Sequence, residues 1–590
     1  MEYPSLLNNS CWVGIENADK FNPLNNMVVI FKTSFKLDKV LPLNLYVSAN
    51  SRYKLFINNK RAGYGPCKGD AWRHYYEEIS AGELLKQGEN NIVAVVAYYP
   101  PGILSDRKIN GPISVVSNVV WPYFILSGII RERNGKTIKD ISTGIGDWYY
   151  ALDSSIKWQE YDSPAFFAVG GFEKVDGKKY FSIGYSDDAN FVWKKCVTAW
   201  KADLCGWGEF TPLPLCRRTI PLMYEETKYF KKVMPSSDFD FGKDDCFIIP
   251  ENSNLAVELD AGELTMGFFK LKVSGGGNSE VKIIYAESYS GDIIKQYPKK
   301  GLRDDCINFR IQGYFDIYLP SGRESLPEEY EPFDVRTFRF VRIEIKTKEH
   351  PLKLFKPWYI ETGYPLKVNA GISSGESWIN SVWDMSVRTL KRCMHETYMD
   401  CPYYERLQYA LDARLQILFT YMLSGDTALA EKTIIDFHSS MVPEGLVQSR
   451  APSNNPNIIP IFSIYWVMML EDYYNQTGKI KFLKRFLPAV DSIIGWFDEK
   501  LGKYGLVENL IYWEFVDWCA EWTNEDKYAT GIPEASKKGP VSTTNLLYAL
   551  GLKSAANLNR LFGRFDTAKE YENKCNYILK NIKSYCWSEE

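Results

Sequence analysis

Over roughly the first 365 residues, hydrophobic positions alternate with polar ones or gather in short blocks. Beyond that point they recur every three to four positions. A period near two followed by a period near 3.6 predicts β structure first and helices afterwards. Residues 27–37 (MVVIFKTSFKL) and 43–49 (LNLYVSA) are rich in β-branched and aromatic side chains, and residues 52–63 (RYKLFINNKRAG) carry a hairpin signal at Asn58-Asn59. The continuous apolar run 90–99 (NNIVAVVAYY) suits a strand buried on both faces. These features predict an antiparallel β-sandwich, jelly-roll-like, over residues 1–170. The less periodic stretch 171–227, with Pro212, Pro214 and Pro221, reads as a connection. A second β-sandwich is expected over 228–365, from a hairpin turning at Gly275-Gly276-Gly277-Asn278 and the alternation of 337–346 (TFRFVRIEIK).

Residues 366–590 read as all-α. Ser374 suits the cap of a helix reaching about Cys393, with Trp378, Ile379, Val382, Trp383 and Leu390 on its apolar face. Further helical patterns cover about 405–423, 427–440, 461–476, 480–500, 543–563 and 565–585. Short joins predict antiparallel hairpins in series, and the lack of a fixed repeat favours a helical barrel over a solenoid.

Composition narrows the function. Lys plus Arg number 70 against 73 for Asp plus Glu, a net charge of −3, so the basic excess of a nucleic-acid or anionic-membrane binder is missing. Four His with no HExxH exclude the common metalloprotease pattern, and no metal or cofactor is expected. Gly275-Gly276-Gly277 lacks a following Gly-Lys-Ser/Thr, and no GxSxG is present. Twelve Cys without a CxxC, a first 25 residues without an apolar core, and no run of about 18 apolar residues predict a reducing, cytoplasmic setting without a membrane span. Aromatic residues reach 15%, a surplus suited to stacking on sugar faces.

Reactive side chains are densest in 395–416, HETYMDCPYYERLQYALDARLQ. Pro402 biases Cys401 away from helix, so a helix is expected to begin at Tyr404 or Glu405. Glu405, Tyr409 and Asp412 would then share a face, the two carboxylates about 10 Å apart along the axis, with Asp400 just before the helix. Carboxylates around a ring provide an acid for a leaving oxygen, acceptors for hydroxyls and a stacking surface. The same spacing also fits surface pairs, Glu405 with Arg406 or Gln408 and Asp412 with Arg414, and the residues alone leave both readings open.

Asp400-Cys401-Pro402, Glu405-Arg406, an aromatic four residues after the Glu and Asp seven after it resemble the motif of the bacterial alpha-L-rhamnosidase family, glycoside hydrolase family 78. RYKLFINNKRAGYGPCKGD resembles that family's accessory sandwich, and LDAGELTMGFFKLKVSGG with EPFDVRTFRFVRIEI its second one. The resemblance implies an (α/α)6 barrel and inverting hydrolysis of terminal alpha-L-rhamnose. Glu405 would be the general acid, with Asp400, Tyr409 and Asp412 binding sugar. Asp517 and Trp518 in 512–522 (YWEFVDWCAEW) resemble the family's Asp-Trp segment, and Trp466 is a further candidate for the sugar pocket. Tyr409 replaces the more usual Trp, and Leu411 the more usual Gly. The family's general base lies farther along than Glu590, and seven helical patterns fall short of twelve. An incomplete barrel, in a fragment or natural truncation, is therefore the expectation. A non-catalytic carbohydrate-binding protein and an (α/α)6 glycosidase for another sugar are the alternatives. The sequence does not indicate an oligomeric state.

Overall fold

The computed structural model describes the 590-residue chain except residues 1–6, 8, 17, 19–20, 23–24, 101–110, 118, 160–166, 181–190, 203–210, 295–296, 526–528 and 589–590. The chain forms two compact units. A β unit holds residues 1–365 with 391–396 and 401–406, and a helical unit holds 366–390, 397–400 and 407–590.

Two sheets make the first layered domain of the β unit. In one, strands Val197–Lys201, Cys11–Gly14, Tyr123–Arg131, Asn44–Asn50, His74–Ser80 and Leu215–Arg217 lie side by side. The other runs Lys194–Lys195, Tyr149–Asp153, Met27–Leu37, Gly88–Tyr98, Arg52–Ile57 and Lys60–Gly65. Their facing residues, among them Val47, Phe124 and Leu126 against Val29, Phe31 and Leu55, fill one core. The period-two pattern of 27–37 is realised over its second half, where buried Phe35 and Leu37 alternate with exposed Ser34 and Lys36.

A twelve-stranded sheet forms the second domain. Its spine is Asn254–Gly275, 22 residues long, whose register with Arg336–Lys346 shifts between Asp260 and Thr265. Beyond that shift it pairs with Trp358–Gly363, Glu328–Tyr330 and Leu352–Phe355, so one strand serves both layers around a shared aromatic core.

The stretch 171–227 is not the connection its irregular pattern suggested. Phe172–Asp176 pairs in parallel with Phe315–Leu319 and antiparallel with Ile156–Gln159, which places 156–159 and 172–176 in the second sheet. Val197–Lys201 and Leu215–Arg217 return to pair with Cys11–Gly14 and His74–Ser80 in the first domain. The expected boundary at 170 is corrected accordingly: pairing across long sequence separations leaves no local signal.

The helical unit contains α1 (Ser377–Arg392), α2 (Ala410–Leu423), α3 (Ala428–Ser439), α4 (Pro460–Thr477), the single turn α5 (Ile480–Leu483), α6 (Leu487–Asp498), α7 (Ser542–Leu561) and α8 (Phe565–Tyr585). Pro460 opens α4 and Gly478, at φ +65°, closes it. The axes of α4 and α7 approach closely, since a Cβ at Gly551 would meet Ile464 at 2.8 Å. The apolar face expected on α1 is present in spacing but not in burial: Trp378 and Val382 are exposed and Leu390 alone is buried.

Candidate functional site

Glu405 does not stand on a helix. Residues 402–405 form a turn, and α2 opens at Ala410 with Tyr409, in extended conformation, at its N-cap. The expected start at Tyr404 or Glu405 is therefore corrected, and with it the single helix face carrying Glu405, Tyr409 and Asp412. Side-chain bonds override the local pattern. Arg406 adopts a left-handed backbone, φ +52°, and its buried guanidinium donates to Val335 O at 3.1 Å and faces Asp334 at 3.7 Å. Leu407 N–H donates to Asp400 Oδ1 at 3.0 Å, and Asp400 N–H to Leu407 O at 2.8 Å. The Gln408 carboxamide is buried, accepting from Tyr398 N–H and Thr433 Oγ1 and donating to Ala451 O.

Within the β unit, residues on both sides of Glu405 are fastened. Pro402 O accepts from Thr337 Oγ1 at 2.6 Å and Tyr403 OH donates to Tyr285 O at 2.8 Å. Tyr404 O accepts from Ala168 N–H at 3.0 Å, and Tyr404 OH donates to Glu287 at 3.1 Å while accepting from Lys300 Nζ at 2.9 Å. Close by in sequence, the Glu396 side chain is 1% exposed and is gripped by Arg52 through two bonds of 2.9 and 3.2 Å. Lys68 N–H adds a bond at 3.3 Å and Arg218 lies at 3.6 Å. Burial pushes the Glu396 carboxyl up, but Arg52, Arg218 and His395 more than reverse this and hold it at about 2. The same buried surroundings bring Lys68 down to about 8, despite the Glu396 charge, and His395 down to about 3.

Within the helical unit, Asp412 sits in the first turn of α2 and Tyr409 OH accepts from Arg450 Nη1 at 2.9 Å. Burial raises the Asp412 carboxyl; its own backbone N–H opposes the shift and the Asp517 charge adds to it. The Asp517 charge also acts on the Tyr465 hydroxyl, alongside burial and the opposing Arg414. These effects bring Asp412, Asp517, Tyr465 and Arg414 into one electrostatic neighbourhood, of which the sequence pattern singled out only the two carboxylates. Asp517 is exposed and its Oδ1 accepts from Trp518 N–H at 2.7 Å. Trp518 is 63% exposed, with its indole edge-on to Trp513 and Phe515. Trp466 belongs elsewhere. It is 0% exposed, its Nε1–H donates to Ile434 O at 3.1 Å and it packs on His438 and Phe486, so it is core and not a sugar-facing ring. Arg450 and Tyr465 left no signal in the sequence, because an arginine and a tyrosine on helical or loop patterns are ordinary.

Residues 368–590 match the bacterial alpha-L-rhamnosidase six-hairpin glycosidase domain. The fold resembles that of a family 78 rhamnosidase of Bacillus sp. GL1, with a TM-score of 0.77 and 16% identity over 98% of this chain and 77% of that one. It also resembles an alpha-L-rhamnosidase from Aspergillus terreus, at a TM-score of 0.70 and 15% identity, over 99% of this chain and 62% of that one. A third likeness is to the Streptomyces avermitilis alpha-L-rhamnosidase complexed with L-rhamnose, at 0.64 and 16%, over 95% of this chain and 49% of that one. The chain thus spans between about half and three quarters of these relatives' lengths. No curated protein matches it in sequence. Among the described residues, no helix is long and apolar enough to cross a membrane.

Proposed function

Since residues 368–590 match the bacterial alpha-L-rhamnosidase six-hairpin glycosidase domain, we propose that the chain acts as a glycosidase on terminal alpha-L-rhamnosides, with inversion at the anomeric carbon and Glu405 as general acid. The observation that supports this reading is the order Asp400-Cys401-Pro402, Glu405 and Asp412 in the matched region, with Asp517 electrostatically coupled to Asp412. Glu405 lies in a fastened turn beside Tyr403 and Tyr404, partly buried, where its proton can be delivered to the glycosidic oxygen from a fixed place. Asp400, Asp412 and Asp517 accept hydrogen bonds from sugar hydroxyls, Tyr409 packs on the ring, and the exposed indole of Trp518 offers a stacking face. Inversion requires a second carboxylate on the opposite sugar face, about 6.5–9.5 Å from the acid, to activate water; none of the residues named here is given that role.

The test is hydrolysis of para-nitrophenyl alpha-L-rhamnoside beside a panel of other nitrophenyl glycosides. The rhamnoside is expected to be the preferred substrate, and Glu405→Gln to lower its kcat by about 10²–10⁴-fold with the fold unchanged. A Glu405→Gln variant as fast as the parent removes Glu405 from the mechanism. Preference for another glycoside overturns the substrate. Rhamnose binding without turnover replaces the enzyme by a carbohydrate-binding protein.

A further inference from the structure

The residue that follows the candidate acid is held in a way that its own chemistry does not require. Arg406 carries a side chain on a left-handed backbone, φ +52°, a strained conformation that persists only where the surroundings over-determine it. Its guanidinium is buried, donates to Val335 O and lies 3.7 Å from Asp334. Asp334 is itself fixed by the Tyr64 hydroxyl at 2.7 Å and by Val335 N–H at 2.9 Å. Arg406 N–H returns to Cys401 O at 3.1 Å and closes the turn that contains Glu405. Strand Lys60–Gly65, the loop at 333–335 and the turn 401–406 are thereby joined through one guanidinium.

From this geometry we infer that Arg406 is a positioning residue for Glu405, anchored by the Tyr64–Asp334 pair, so that the β unit sets where the acid's carboxyl stands. The inference rests on the reading of Glu405 as the acid and adds what aims it. A guanidinium suits the task because its planar fork donates to a carbonyl and faces a carboxylate at the same time, whereas an ammonium is a single point charge. Lysine keeps the charge and most of the length but not the fork, so charge alone and the fork are separable by experiment.

Arg406→Lys and Tyr64→Phe are compared with the parent chain by steady-state kinetics on the nitrophenyl rhamnoside, by thermal midpoint and by hydrogen–deuterium exchange resolved to peptides. Arg406→Lys is expected to lower kcat between about 10- and 100-fold, the scale of a misplacement near 1 Å, with KM within about twofold. Exchange is expected to rise in peptides covering 401–406 and to stay unchanged in those covering 542–561. Tyr64→Phe acts in the same direction and more weakly. Full rescue by Lys, or a rise in KM at unchanged kcat, overturns the positioning role. So does unaltered exchange at 401–406, or a rise spread evenly over the chain. If the parent turns over no rhamnoside, the functional reading fails by itself; the exchange experiment then still decides whether Arg406 holds the turn.

Discussion

The turn at 401–406 and the pair Asp517-Trp518 both bear residues proposed for sugar chemistry, and their side chains stand in opposite surroundings. Around Glu405, four neighbouring residues are bonded to other residues of the β unit, and Glu396, close by in sequence, is buried against two arginines. Around Asp517 and Trp518, both side chains are exposed and the carboxylate spends one oxygen on the next backbone N–H. The contrast follows the chemistry: an acid has to be in one place at the moment of proton transfer, whereas a stacking ring tolerates adjustment.

The contrast breaks most sharply at Glu396. Glu396→Gln leaves Arg52 buried without its counter-charge and is expected to cost about 3–5 kcal/mol in urea unfolding; an unmoved midpoint would mean that this buried cluster adds nothing to stability. Acidification tests the same groups more gently. The Glu396 and Asp334 carboxyls are both held near 2, below their ordinary range of about 4; for Asp334 burial is outweighed by the Arg406 charge and the Tyr64 hydroxyl. Their stabilisation is present above about pH 4 and is lost as pH falls toward about 2, on the order of 3 kcal/mol for Glu396. Thermal midpoints across that window should fall steeply in the parent and less in Glu396→Gln. The smallest effect belongs to the exposed pair Asp517-Trp518. Trp518→Ala should change stability by no more than about 0.5 kcal/mol while weakening rhamnose binding by roughly 1 kcal/mol in calorimetry. A large loss of stability there would erase the difference between the two regions.

How much of this was readable in the chain depends on distance along it. The helices of 410–585 were legible because each carries its own 3.6 period and its own stops, such as Gly425 and Gly478. The start of α2 was misplaced by about five residues because what delays it is remote: Val335 and Asp334 hold Arg406, and Ala451 and Thr433 hold Gln408. The motif put Glu405 and Asp412 on one helix face, since spacing of four and seven reads as helical wherever no tertiary bond is visible. Trp466 was ambiguous for the opposite reason: an indole amid an apolar helix looks the same whether its N–H meets a ligand or, as here, Ile434 O.

The exchange of strands between the two β domains also sets a schedule for synthesis. The parallel pairing of Phe172–Asp176 with Phe315–Leu319 cannot form until about 140 further residues have left the ribosome. At roughly 5–20 residues per second that is a wait of about 7–28 s. The first domain, meanwhile, completes its seven-stranded sheet only when Leu215–Arg217 emerges. During that interval Phe172 and Val175, with Ile156 and Phe167 beside them, have no partner from the later sheet. A nascent chain halted between 220 and 310 is therefore the form most in need of a chaperone.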